Sequence, residues 1–159
     1  MNIEPLEDYD APVVLLSIKP KYAQRILSGY KKFELRTWIG LDLVPGMLVV
    51  MYVSGEIKAI IGEFRIGKVI KGRPEYVRKR IEQEGGEEVT GIGEEDYSYI
   101  SRSKKAFALE VTEPKKYKRP IYLNELRNVI PGWNPPMSHT LLGPGDPLWE
   151  MIIKKVREL

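Results

Sequence analysis

The sequence predicts an α+β fold: a small mixed β-barrel of five or six strands, with short helical insertions and a C-terminal helix. Three observations predict it. Apolar, β-rich runs recur along the 159 residues. Glycines interrupt the longest of them, as bulges and barrel corners do. The helical patterns are short and do not alternate regularly with the strands, which argues against a doubly wound sheet. At 18.3 kDa there is room for one core. The expected organisation is an acidic lead-in over residues 1–11 and a single domain over residues 12–159.

The elements follow in order. Val13 to Leu16 and Ile18 form an apolar run, read as a buried strand. Pro20 suits the first position of a helix, Ala23, Ile26 and Leu27 share one face, and Gly29 supplies the stop, giving a helix over 19–28. Residues 31–38, KKFELRTW, alternate: Phe33 and Leu35 face the core, while Glu34, Arg36 and Trp38 share the second face. A turn at Pro45-Gly46 precedes a strand from Met47 to Val53, and Ser54-Gly55 turns again. Residues 57–70 read as a long strand or bent pair with corners at Gly62 and Gly67. Pro74 opens a helix to about Gln83, with Val77 and Ile81 inward. A short helix is expected near Tyr97 and Ile100, then a strand through Phe107, Leu109 and Val111. The segment PKKYKRP at 114–120 reads as a basic loop, and Leu123–Asn128 as a short helix. Pro131–Pro147 reads as loop, and Asp146-Pro147 caps a final helix striped by Leu148, Met151, Ile152 and Val156.

Composition narrows the chemistry. There is no cysteine, which excludes disulfides, thiolate metal sites and cysteine nucleophiles. The single histidine, His139, has no second His or Cys to complete a metal site, so no metal and no cofactor are expected. No apolar run approaches the length of a membrane span, and no charged-then-apolar leader opens the chain, so a cytoplasmic protein is expected. The high charge, low glutamine and missing cysteine resemble a thermophile's composition. The net charge of +3 is strongly patterned: residues 11–40, 61–81 and 97–120 each carry +5, while residues 82–96 carry −7. Such a chain can present two faces of opposite charge, one of them suited to nucleic acid, or its blocks can pair with each other.

The densest chemistry lies in Ser17 to Trp38. Lys19 stands at a helix start, where the dipole is already positive, an arrangement that favours an anion. Lys31 and Arg36 could converge on the same anion, Glu34 could orient either, and Trp38 offers a stacking surface for a nucleobase. The bland alternative is a surface strand with a structural Glu–Arg or Glu–Lys pair. Tyr52 and Ser54 follow an apolar strand and could line a cleft, although Tyr52 could equally be core. Ser138 and His139 sit in the loop after Pro135-Pro136, and Trp133 could stack a base or plug a barrel end. Lys115, Lys116, Lys118 and Arg119, with Tyr117 among them, form a candidate edge for a nucleic-acid backbone. The acidic stretch 82–96 should face away from that edge.

Gly29-x-Lys31-x-x-Glu34-x-Arg36, preceded by a strand and a short helix, resembles the motif of the ASCH domain, a member of the PUA-like superfamily with the EVE and PUA domains. Tyr52-Val53-Ser54, Ala59–Gly62 and Trp133–Ser138 are similar to its central strands and its cleft-closing loop. The resemblance implies a PUA-like barrel that binds RNA or a nucleotide, with a role in RNA metabolism or in translation or transcription regulation. The implied ligand cleft is lined by Lys19, Lys31, Glu34, Arg36, Trp38, Tyr52, Ser54 and Ser138. Some relatives are enzymes, amidohydrolases of acylated cytidine or ribonucleases. In the amidohydrolase branch a threonine works with the motif lysine at the position held here by Glu34, so this chain departs from that pattern. The alternative function is therefore hydrolysis of modified nucleosides or RNA, with Lys31 and Glu34 as its acid–base pair.

Overall fold

The computed structural model describes residues 11–37 and 43–157, the last two of these by backbone alone. Trp38, the expected stacking residue, lies outside the described residues, as do the acidic lead-in up to residue 10 and the Val156 side chain. Among the described residues there are six strands: β1 (Val13–Ile18), β2 (Phe33–Thr37), β3 (Leu48–Val53), β4 (Ala59–Gly72), β5 (Ala106–Tyr122) and β6 (His139–Leu142). Six helices accompany them among the same residues: α1 (Pro20–Leu27), α2 (Pro74–Glu82), α3 (Glu87–Thr90), α4 (Glu94–Ile100), α5 (Leu123–Val129) and α6 (Pro147–Arg157). The α+β class and the C-terminal helix agree with expectation. Among the described residues no helix is long and apolar enough to cross a membrane.

Hydrogen bonding orders the strands β2-β5-β4-β3-β1-β6. β1 runs parallel to β3 with Ser17 opposite Tyr52, and antiparallel to β6 with Leu16 opposite His139. β2 runs antiparallel to β5, with Glu34 opposite Leu109. A parallel pair needs a crossover, and here α1 and β2 intervene between β1 and β3.

The chain divides into two compact units. The first is drawn from Met1–Ala23, Met47–Glu63 and Lys115–Leu159, the second from Gln24–Gly46 and Phe64–Pro114. Strands β4 and β5 pass through both. In the first unit, Val13, Leu15, Val50, Tyr52, Ile60, Tyr117, Leu126 and Ile152 pack into one core. β3 is buried along its whole length, as a central strand with both faces covered should be. α6 begins as expected, with the Leu148 N–H donating to Asp146 Oδ1 at 2.8 Å. In the second unit, Phe33, Leu35, Ile70, Val77, Ile81, Ile92, Tyr97 and Ile100 form the core. Phe33, Leu35, Val77 and Ile81 are the inward residues that the sequence predicts.

Two elements correct the sequence reading. Residues 114–120 are not a loop; β5 continues through them to Tyr122. Pro114 and Pro120 suggested a loop because each lacks an amide donor. The strand accommodates the first with a kink at Glu113, whose φ is +49°. Beyond it, Tyr117 and Ile121 are buried while Lys115, Lys116, Lys118 and Arg119 are exposed. The second correction is β6, which lies inside the proline- and glycine-rich stretch read as loop. Four residues are too short a run to show a period.

Candidate functional site

The residues singled out by the sequence fall into three groups, each described within its own unit. The first is the motif itself, in the second unit. Its backbone is tied down before its side chains are considered. The Lys31 N–H donates to the Arg25 carbonyl at 2.9 Å, and the Lys32 N–H to the Thr90 carbonyl at 2.8 Å. Gly91, in the left-handed conformation at φ +73°, passes so close to Tyr30 that an added Cβ would collide with its carbonyl oxygen. Only glycine fits there, and its fit sets the entry to β2.

From that entry the charged side chains form a chain of contacts. Lys31 Nζ donates to Glu34 Oε1 at 2.8 Å, and Arg36 Nε donates to Glu34 Oε2 at 2.7 Å. Asp96 Oδ1 lies 3.4 Å from Lys31 Nζ, while its Oδ2 accepts the Gly93 N–H at 3.0 Å. Glu34 and Arg36 share a strand face, as alternation requires. That face is not exposed: Lys31 and Glu34 are each 3% exposed, Asp96 6% and Arg36 8%. Burial alone would raise the Glu34 pKa, but Lys31 and then Arg36 outweigh it, and the carboxyl sits below its ordinary value. Two cations and two carboxylates thus neutralise one another inside the unit.

Asp96 is the residue that sequence reasoning missed. It belongs to the acidic stretch expected to face away, yet it reaches the motif lysine. Its neighbours pair with basic residues too, Glu94 with Arg78 and Glu95 with Arg25. The signal was present in Gly93-x-x-Asp96, where an acid at the third helical position can accept the N–H of the residue before the helix.

The second group lies in the first unit, at the C-terminal ends of β1 and β3. The Ser17 N–H donates to the Ser138 carbonyl at 2.8 Å, and its hydroxyl to the Pro136 carbonyl at 2.6 Å. Tyr52, opposite Ser17 in register, is a core member, and its ring meets Trp133 edge-on with centroids 6.2 Å apart. Burial pushes the Tyr52 hydroxyl pKa up, opposed by the charge of Arg127. Arg127 holds the loop, donating to the Trp133 carbonyl at 2.9 Å and to Asn134 Oδ1 at 3.1 Å. His139 Nδ1 is 3.2 Å from Ser138 Oγ. The Ser54 N–H donates to the Ile18 carbonyl at 3.1 Å, and Lys19 is exposed beside it in sequence. Ser17 and Arg127 were not anticipated; a serine inside an apolar strand was their only sequence signal.

The third group is the basic half of β5. Lys115, Lys116, Lys118 and Arg119 are all exposed, and none of them makes an ion pair among the described residues. Tyr117 between them is buried and donates to Glu63 Oε1 at 3.0 Å. Burial, then the Glu63 charge, push its hydroxyl pKa far up, so it remains a donor.

Comparison with known proteins fixes the family. Residues 12–132 match the family described as a domain of unknown function, DUF365, and the chain belongs to it. A curated protein of Zymomonas mobilis named an ASCH domain-containing ribonuclease is 26% identical over 134 residues, covering 84% of this chain and 86% of that one. The crystal structure of ASCH from Zymomonas mobilis superposes with a TM-score of 0.72 at 24% identity, covering 92% of this chain and 94% of that one. A protein of Rhodopseudomonas palustris solved by NMR has a TM-score of 0.51 at 13% identity, covering 94% and 95%. The fold is that of an ASCH domain, and the resemblance read from the motif holds.

Proposed function

We propose that this chain is a cytoplasmic RNA- or nucleotide-binding module acting in RNA metabolism, of the kind that regulates translation or transcription. The observation that carries the proposal is the second half of β5, where four cations in five residues stand exposed without carboxylate partners. A row of unneutralised cations is what a phosphate backbone recruits. The Zymomonas relative's name, a ribonuclease, points the same way. In the first unit, Tyr52, Ser54, Ser138 and Lys19, with Trp133, are assigned to the ligand. Lys31, Glu34 and Arg36 are assigned to holding β2, because a phosphate would have to displace Glu34 from both cations to reach them.

The test is fluorescence anisotropy with a labelled single-stranded RNA. In the variant Lys115→Gln, Lys116→Gln, Lys118→Gln and Arg119→Gln together, Kd should rise about 100-fold at roughly 100 mM salt. The slope of log K against log salt should flatten by about 3, the value for four lost phosphate contacts on a single strand. An unchanged Kd and slope would remove the proposal.

A second reading, RNA hydrolysis, is favoured by the same relative's name. Lys31 and Glu34 do not suit an acid–base pair: Glu34 is held ionised, and Lys31 lies between two carboxylates. The hydroxyls and imidazole of the first unit, Ser138 beside His139 and Tyr52 nearby in the sheet, are the groups left to do it. Sizing the RNA after each titration decides between binding and cleavage.

A further inference from the structure

Arg127 stands in the last turn of α5, exposed, and holds the loop that carries Trp133. It makes no ion pair among the described residues. Its guanidinium presents five N–H groups in one plane, and two of them are taken. Nε donates to the Trp133 carbonyl at 2.9 Å, and Nη2 donates to Asn134 Oδ1 at 3.1 Å. Both bonds use one edge of the plane, the edge that Nε and Nη2 share. The end of the plane, where Nη1 and Nη2 form a second fork, makes no hydrogen bond to a described residue. A guanidinium anchored on one edge is already ordered. An anion that takes the open fork therefore loses little affinity to freezing the side chain.

The neighbours of that fork narrow the ligand. Trp133 is half-buried and meets the Tyr52 ring edge-on. Tyr52 is only 3% exposed, and its hydroxyl makes no hydrogen bond to a described residue. Among the described residues no buried side-chain oxygen lacks a partner, so this hydroxyl reaches solvent. Burial pushes its pKa up and the charge of Arg127 opposes the rise, so the guanidinium lies within electrostatic reach of that oxygen. An open guanidinium fork, a protonated hydroxyl and an indole together suit a molecule that is anionic at one end and aromatic at the other. We propose that Arg127 is a phosphate-binding residue of this cleft, taking two oxygens of a nucleotide phosphate on its Nη1–Nη2 edge while its other edge holds the Trp133 loop. The inference rests on the reading of this cleft as the nucleotide site and names the residue that takes the phosphate there.

The test uses two ligands that differ only in the phosphate, adenosine and adenosine monophosphate. Each is titrated into the ¹⁵N-labelled full chain at constant ionic strength, following the Trp133 indole N–H and the Ser54 amide. The monophosphate should bind about tenfold more tightly than the nucleoside, the size of one charge-assisted fork. In Arg127→Gln that ratio should fall to about one, whereas Arg127→Lys, which keeps the charge and loses the fork, should retain about threefold. Asn134→Ala removes one loop bond and leaves the fork, so it should weaken both ligands alike and keep the ratio. A ratio unmoved in Arg127→Gln would make Arg127 a loop anchor alone and overturn the proposal. Equal affinities in the wild type, or a ratio lost equally in Asn134→Ala, would overturn it too. Saturable shifts from neither ligand would remove the nucleotide reading of the cleft itself, and this inference with it. The ratio speaks to Arg127 alone, so the two failures are told apart.

Discussion

Two basic stretches of this chain look alike as sequence and differ as structure. Residues 61–81 and 97–120 each carry +5. In the first stretch three of the seven cations are answered by carboxylates, and a fourth by a hydroxyl. Lys68 pairs with Glu84, Arg73 with Glu75, and Arg78 with Glu82 and Glu94, while Arg80 donates to the Tyr76 hydroxyl. In the second, the four cations of β5 have no such partners. Each exposed pair contributes little stability, commonly under about 1 kcal/mol. What pairing removes is the positive potential available to a polyanion. Net charge per segment therefore says little about a nucleic-acid face until the partners are known. The motif residues Lys31 and Arg36 carry the same lesson furthest, since their charges are answered inside the protein.

The strongest way to break the comparison is to remove the answering charge where it is buried. Glu34→Gln leaves Lys31 and Arg36 facing a neutral group and should cost about 3–5 kcal/mol in urea unfolding. Its pH dependence has a fixed sign. The Glu34 pKa is lowered on folding, so its contribution is fully present above the ordinary value of 4.5 and is lost as pH falls through the folded value. The wild type should therefore lose stability more steeply than Glu34→Gln below about pH 4.5, and parallel curves there would remove the electrostatic account.

The next effect in size concerns what holds the unanswered cations in place. Tyr117→Phe deletes the hydrogen bond to Glu63 beneath them and should cost about 1–3 kcal/mol while leaving RNA affinity nearly unchanged. A loss of affinity larger than the loss of stability would show that Tyr117 also shapes the binding face.

The smallest effect sharpens the comparison most directly. Glu75→Gln with Glu84→Gln frees Arg73 and Lys68 with little effect on stability, because these pairs are exposed and screened. If pairing is what silences the first stretch, RNA affinity at low salt should rise about threefold, with a steeper salt slope. No change would mean that the geometry of β5, rather than its free charge, sets it apart.

Much of this was legible in the chain. The strand, short helix and alternating motif from Val13 to Arg36 could be read residue by residue, because periodicity is a local property. So could α2 with Val77 and Ile81, and α6 with its Asp146 cap. The PKKYKRP segment was not, because its two prolines read as loop and Arg119 interrupts any apolar alternation between Tyr117 and Ile121. β6 was not, because a four-residue strand is recognisable only by its pairing with β1. Among site residues, the sequence groups Lys31, Glu34 and Arg36, which do meet, but carries no sign that Asp96 joins them.

The sequence by itself determined most of the elements, the class of fold, the ASCH-like motif and the chemistry left available without cysteine and with one histidine. Those depend on residue type and near spacing, which the chain carries openly. Only the tertiary structure decided which charges meet. Asp96 lies 65 positions from Lys31, and Glu84 lies 16 from Lys68. An ion pair is a matter of a few ångströms in space. The packing of β2 with α4 determines whether a lysine faces a carboxylate or water, and no spacing in the sequence encodes that distance.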